Sequence, residues 1–156
     1  MTRGSLHSMG SGRVLVVDDE RGIRELCRVN LALAGFEVLE AGDGATAVAM
    51  ARTEAPDIIL LDVLMPGMSG WEVLGHLRAD KATAAIPVVM LTALNSEDDQ
   101  IRGWEGGVVE YLTKPFNPLA LADWVTAAMQ PRDPADEEAR RQRAVAQVSM
   151  VRALRH

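Results

Sequence analysis

The stretch "VLVVDDE", residues 14–20, decides the fold. Four branched apolar residues run directly into Asp18, Asp19 and Glu20. A run this short and this rich in Val and Leu reads as a buried strand. Ending such a strand on adjacent carboxylates is costly, because like charges repel and each resists leaving water. Either a cation belongs between them or the pair is only a solvated acidic turn capping a helix.

Four more short apolar runs follow: "FEVLEA" (36–41), "DIILLD" (57–62), "IPVVMLT" (86–92) and "VVEYLT" (108–113). Together with "RVLVVD" (13–18) they predict five strands. Helices are predicted between them. Ile23, Leu26, Cys27, Leu31 and Ala34 recur at helical spacing, and Gly35 supplies a left-handed stop. Asp43 opens a second helix, which ends before Pro56. Ser69-x-x-Glu72 is a capping box for a third. "NSEDD" (95–99) is a cap with an acidic first turn, and Asn117-Pro118 places a cap before proline at the first helical position. The expected class is α/β, a (βα)5 doubly wound parallel sheet with helices on both faces.

Sheets of this class bind ligands beyond the carboxyl ends of their strands. Strand one ends in Asp18 and Asp19, strand three in Asp62, strand four in Thr92 and strand five near Lys114. Strand two ends in Ala41 and Gly42 and offers nothing reactive. Three carboxylates at one rim make a hard-oxygen site that suits Mg²⁺, and a divalent ion relieves their repulsion. Asp62 fits a nucleophile that carries a phosphoryl group as an acyl phosphate. The Thr92 hydroxyl and the Lys114 ammonium would then balance the remaining phosphate oxygens. Lys114 stands out by usage, since the chain has 14 Arg and only 2 Lys. Taken singly, Thr92 is as readily a turn-capping strand residue, and Lys114 a surface lysine.

Composition sets the outer bounds. Hydrophobic residues make up 48% of the 156 and charged ones 24%, ordinary for a globular domain. No apolar stretch approaches the ~20 residues that span a bilayer. Residues 1–12 are Gly/Ser-rich, lack a signal-peptide core and read as disordered. A lone cysteine, Cys27, suits a reducing compartment, so a cytoplasmic protein is expected. Residues 1–130 carry 10 Lys/Arg against 18 Asp/Glu. So acidic a body argues against direct nucleic-acid binding by the main domain.

The segments "VLVVDDE", "PDIILLDVLMPGMSGWEVL", "IPVVMLTA" and "GGVVEYLTKPF", in this order and spacing, resemble the receiver domain of two-component response regulators over residues 13–130. The resemblance implies a flavodoxin-like sheet of order 2-1-3-4-5. It implies phosphorylation of Asp62 by a histidine kinase or phosphotransfer protein, as in a phosphorelay, in a non-enzymatic switch. Asp19 matches the direct Mg²⁺ ligand, Asp18 the ligand acting mainly through water, and the backbone carbonyl of Leu64 a main-chain ligand. Thr92 and Lys114 match the phosphate-sensing pair, and Tyr111 the aromatic that moves with Thr92. The Lys114–Pro115 peptide is expected to be cis. The fourth helix, fifth strand and fifth helix are expected to form the face that meets an output domain, a target protein or, on phosphorylation, a second copy. Val109 departs from the family, one DNA-binding branch of which has a salt-bridging Asp there. Leu64 and Leu94, each two residues beyond a site residue, are expected to limit access of water. The competing reading is a Mg²⁺-dependent aspartyl-phosphate phosphatase or phosphotransferase. Such an enzyme often has an acid two residues after its nucleophile, where this chain has Leu64.

Residues 131–156 form a Pro-punctuated linker and a predicted helix. Its apolar stripe, Ala144, Val148 and Val151, is narrow, so a weakly ordered tail is expected in the free monomer.

Overall fold

Alternation at every second residue shapes the sheet, because successive side chains on a strand point to opposite faces. In the computed structural model, which describes residues 12–93, 96–131 and 133–154, β1 runs Arg13–Val17, β2 Glu37–Ala41, β3 Ile58–Leu61, β4 Val88–Thr92 and β5 Glu110–Thr113. Leu15, Val17, Ile59, Leu61, Val88 and Met90 face one core; Val14, Val16, Ile58, Leu60, Val89 and Leu91 face the other. Both faces are apolar, so helices must cover both.

The helices are α1 (Arg21–Leu33), α2 (Gly44–Glu54), α3 (Gly70–Ala79), α4 (Glu97–Glu105), α5 (Leu121–Ala128) and α6 (Pro134–Leu154). Residues of α2, α3 and α4 close the first core. Cys27 and Leu31 of α1 and Leu121 and Val125 of α5 close the second. All strand pairs are parallel, and the order is β2-β1-β3-β4-β5, as expected.

The caps read from sequence are present. Asp43 accepts from the Thr46 N–H at 2.8 Å. Ser69 and Glu72 form the reciprocal capping box, and Gly35 is left-handed at φ 101°. Ser96 caps α4; Asn95 and Leu94 lie outside the described residues, as do residues 1–11 of the N-terminal segment. Asn117 caps a 3-10 turn, Pro118–Ala120, that leads into α5. Two features differ from expectation. Leu26 is exposed rather than in the core, because the apolar face of α1 centres on Cys27 and Leu31. The tail does not stand free: Ala144 and Val145 of α6 pack against the first core, beside α4.

Candidate functional site

Register sets the site. Val17 pairs with Leu61, so Asp18 and Asp62 leave adjacent strands at the same level. Leu61 pairs with Met90, which carries Thr92 two residues further toward the rim. Thr92 pairs with Thr113, and Lys114 follows; its N–H donates to the Thr92 carbonyl at 2.8 Å. The Lys114–Pro115 peptide is cis.

These strands bring Asp18, Asp19, Asp62, Thr92 and Lys114 to one rim. Carboxylate oxygens of Asp18, Asp19 and Asp62 all lie within 4.8 Å of one another. Asp18 and Asp62 are buried, at 2% and 4% exposure, while Asp19 is open to solvent. Lys114 Nζ lies 2.6 Å from Asp18 Oδ2, 3.6 Å from Asp62 Oδ2 and 4.0 Å from Glu20 Oε1. The Thr92 hydroxyl and the Leu64 backbone N–H both hydrogen-bond the Asp62 carboxylate. The Leu64 side chain points outward, 56% exposed.

Burial, and then the charge of Asp18, raise the pKa of Asp62 above the ordinary carboxylate range; Lys114, Thr92 and Leu64 oppose this. Burial pushes the Lys114 ammonium downward, but the hydrogen bond it donates to Asp18 and the charges of Asp62, Asp18 and Glu20 leave its pKa raised. One lysine thus faces three carboxylates, two of them buried, with Asp19 beside that pair. Such a donor set fits a small hard divalent cation, which adds the positive charge that the cluster lacks.

The raised Asp62 has a consequence for stability. The folded state holds its proton more tightly than the unfolded chain does. Stability therefore falls as pH rises from the ordinary value, 3.8, through the folded pKa. At neutral pH without metal, Asp62→Asn is expected to raise Tm by about 2–4 °C, equivalent to about 1 kcal/mol in a chain of this size. The loss between acid and neutral pH should shrink with it. Thermal melts across pH check both, and an unchanged or lowered Tm at neutral pH would show that the cluster is not strained.

Two positioning residues carry no local signature in the sequence. Arg24 of α1 donates to the Asp18 backbone carbonyl at 2.8 Å and pairs with Glu40 at 3.3 Å, fixing the turn that carries the acidic pair. Arg78 of α3 donates to the carbonyls of Ala84, Ile86 and Gly107, tying the approach to β4 to the turn before β5. Cys27 is fully buried, and burial, then Asp18, push its thiol up to about 12, so it is inert.

Tyr111 is not at the carboxylate rim. On β5 it pairs with Met90 of β4, two residues below the level of Thr92. A Cβ on Gly103 would stand 2.8 Å from Tyr111 Cδ2, so the ring lies against α4 only because residue 103 is glycine. Burial, then Asp99, push the Tyr111 hydroxyl up to about 12. Trp104 is buried beside it, with the Arg140 guanidinium 5.2 Å above its ring, whereas Trp124 is partly exposed on α5.

No helix among the described residues is long and apolar enough to cross a membrane. Residues 14–126 match the family model of the response regulator receiver domain. The chain is 44% identical over 126 residues to the phosphate regulon transcriptional regulatory protein PhoB of Pseudomonas aeruginosa, covering 81% of this chain and 55% of that one. It is 48% identical over 111 residues to the response regulator PleD of Caulobacter vibrioides, covering 71% of this chain and 24% of that one. It thus spans about half of the first protein's length and a quarter of the second's. The chemotaxis protein CheY4 of Vibrio cholerae superposes with a TM-score of 0.71 at 36% identity, covering 76% of this chain and 98% of that one. The chain belongs to the response regulator receiver family.

Proposed function

We propose that the chain is a phosphorylation-controlled signalling switch whose phosphoacceptor is Asp62. The observation that carries this reading is the placement of Asp62. It is a buried carboxylate bonded to the Thr92 hydroxyl, 3.6 Å from the Lys114 ammonium and beside Asp18 and Asp19.

The chemistry follows from the neighbours. An oxygen of Asp62 attacks phosphorus and forms a P–O bond. The P–N bond of a phosphohistidine donor breaks, and its electron pair stays on the imidazole nitrogen. Because this transfer needs little covalent help, the work of the protein is placement and charge balance. Lys114 is close enough to meet one phosphate oxygen, and Thr92 can turn from the carboxylate to a second. Mg²⁺ held by Asp18, Asp19, Asp62 and the Leu64 carbonyl would supply positive charge for a third. The cation demand of the rim supports that assignment.

A turnover enzyme is less well supported. The Leu64 side chain, apolar and exposed, occupies the position where a phosphatase of this kind often has an acid. We therefore assign a switch that assists its own phosphorylation and loses phosphate slowly. The donor would be a histidine kinase or phosphotransfer protein. The readout would be an output domain or target protein on the α4-β5-α5 face, or a second copy of the chain docking there. A cytoplasmic location suits a kinase-fed switch.

Mass spectrometry of the intact chain tests the assignment. With Mg²⁺ and a small acyl-phosphate donor, wild type should gain one phosphoryl group, and a chelator should prevent it. Equal uptake with chelator would remove Mg²⁺ from the account.

Leu64 governs lifetime in this reading. Its exposed apolar side chain offers no hydrogen bond to orient an attacking water. Leu64→Asn, whose amide can orient an attacking water, should shorten the half-life of the phosphorylated chain by about tenfold, the scale of one hydrogen bond. A half-life equal to wild type would show that water access at this position is not limiting. Leu94, the second flanking residue expected from sequence, lies outside the described residues.

A further inference from the structure

The C-terminal helix covers part of the surface that the switch is expected to expose. α6 lies along α4 and crosses to β5. Arg140 bridges to β5, donating to the Val109 carbonyl at 2.6 Å and to Glu110 Oε2 at 3.0 Å. Arg152 reaches α4 as an ion pair without hydrogen-bond geometry, its Nη2 2.6 Å from Asp98 Oδ1. Between these two anchors lies a cleft of about 390 Å³, whose walls include Tyr111 and Trp104 on one side and Ala144, Val148 and Val151 on the other.

The attachment is shallow. No residue of α6 is fully buried, and Met150 and Leu154 point into solvent. Arg141 brings its positive charge toward the half-buried Arg78, and its Nε is buried without a hydrogen-bond partner. Two ion pairs, Arg140 with Glu110 and Arg152 with Asp98, tie the tail to β5 and α4, and pairs this open to solvent contribute little each. A helix held this way can dissociate without unfolding the domain.

The two elements beneath α6 are continuous with the phosphoacceptor site. β5 carries Tyr111 and leads into Lys114. α4 follows Thr92, its cap Ser96 four residues on. Any rearrangement of Thr92 and Lys114 around a phosphoryl group pulls on the strand and the helix that α6 staples together.

We propose that α6 is a releasable cap on the α4-β5 surface, docked when Asp62 is free and displaced when Asp62 carries a phosphoryl group. This rests on the reading of Asp62 as phosphoacceptor and adds the element that blocks its output. Tyr111 forms one wall of the cleft against Ala144, Val148 and Val151, so a shift of β5 toward a phosphoryl group changes the contacts that hold the docked helix. The coupling is reciprocal: whatever factor phosphorylation costs the docked helix, undocking returns to the phosphorylated state.

Amide hydrogen exchange over residues 134–154 of the full chain tests the proposal, with Mg²⁺ present and with or without a small acyl-phosphate donor. Phosphoryl occupancy is read by mass on the same samples. Without donor, α6 should exchange slowly. At full occupancy its exchange should accelerate by about tenfold, within the 5–150-fold usual for coupled sites. Ala144→Asp/Val148→Asp should give the fast exchange without any donor, and Arg140→Ala an intermediate rate. Peptides from β1 and β3 report in the same run that each variant is folded. Two results would overturn the cap: slow exchange persisting at full occupancy, or wild type exchanging as fast as the double variant before donor is added. A wild-type chain that takes no phosphoryl group shows in the mass instead. That outcome refutes the Asp62 reading and removes the trigger with it, while the donor-free comparison still reports whether α6 is docked.

Discussion

Gly70→Ala is expected to lower Tm by about 6–12 °C, corresponding to about 3 kcal/mol in a chain of this size. Gly70 is the first residue of α3, and its N–H donates to the Val63 carbonyl at 2.9 Å. A Cβ there would stand 2.3 Å from the Asp62 carbonyl oxygen and 2.7 Å from Val63 Cα. Both obstacles are backbone, so no side chain can swing aside. Either α3 moves off the sheet or the segment carrying Asp62 is displaced, and phosphoryl uptake should fall along with Tm. Gly75 provides the control in the same helix. Its Cβ would meet nothing within 4 Å, so Gly75→Ala should instead stabilise by about 0.5–1 kcal/mol through lower chain entropy. Thermal melts of the two variants decide. Equal Tm values would show that contact with the Asp62 backbone does not fix the start of α3.

Lys114→Met should move two measurements in opposite directions. In the free chain Lys114 Nζ is bonded to Asp18 at 2.6 Å and sits 3.6 Å from Asp62, so it competes for the oxygens that a metal needs. Removing the ammonium should tighten Mg²⁺ binding by a few-fold. Phosphoryl uptake should nevertheless fall by about 100-fold, the usual cost of deleting one donor to a developing oxyanion. A variant that merely loosened the rim would weaken both. Titration with Mg²⁺ followed by uptake kinetics separates the cases, and uptake at the wild-type rate would deny Lys114 any part in stabilising the phosphoryl group.

Much of this site is legible in the sequence. The strand ends name Asp18, Asp62, Thr92 and Lys114 because a parallel sheet aligns the carboxyl ends of its strands, and the apolar runs mark where those ends fall. The caps at Asp43 and Ser69 were legible because they are local. The two arginines were not. Arg24 reaches Asp18 from the start of the next helix, and Arg78 reaches Gly107 across 29 residues. Their partners are backbone carbonyls, which any sequence supplies. The tail was half legible. The stripe of Ala144, Val148 and Val151 predicts a helix with a narrow apolar face. What covers that face depends on where Trp104 and Tyr111 emerge in the folded chain, which no spacing encodes.

The place of the phosphoryl group tests the central claim most directly. Wild-type chain treated with Mg²⁺ and an acyl-phosphate donor is reduced with borohydride, which converts an acyl phosphate to the corresponding alcohol, and then cleaved at arginine. Fragment masses locate the altered residue. The account predicts a single altered residue, Asp62, within residues 53–78, and none in Asp62→Asn. A modified residue elsewhere, or an Asp62→Asn chain phosphorylated as fully as wild type, would contradict it.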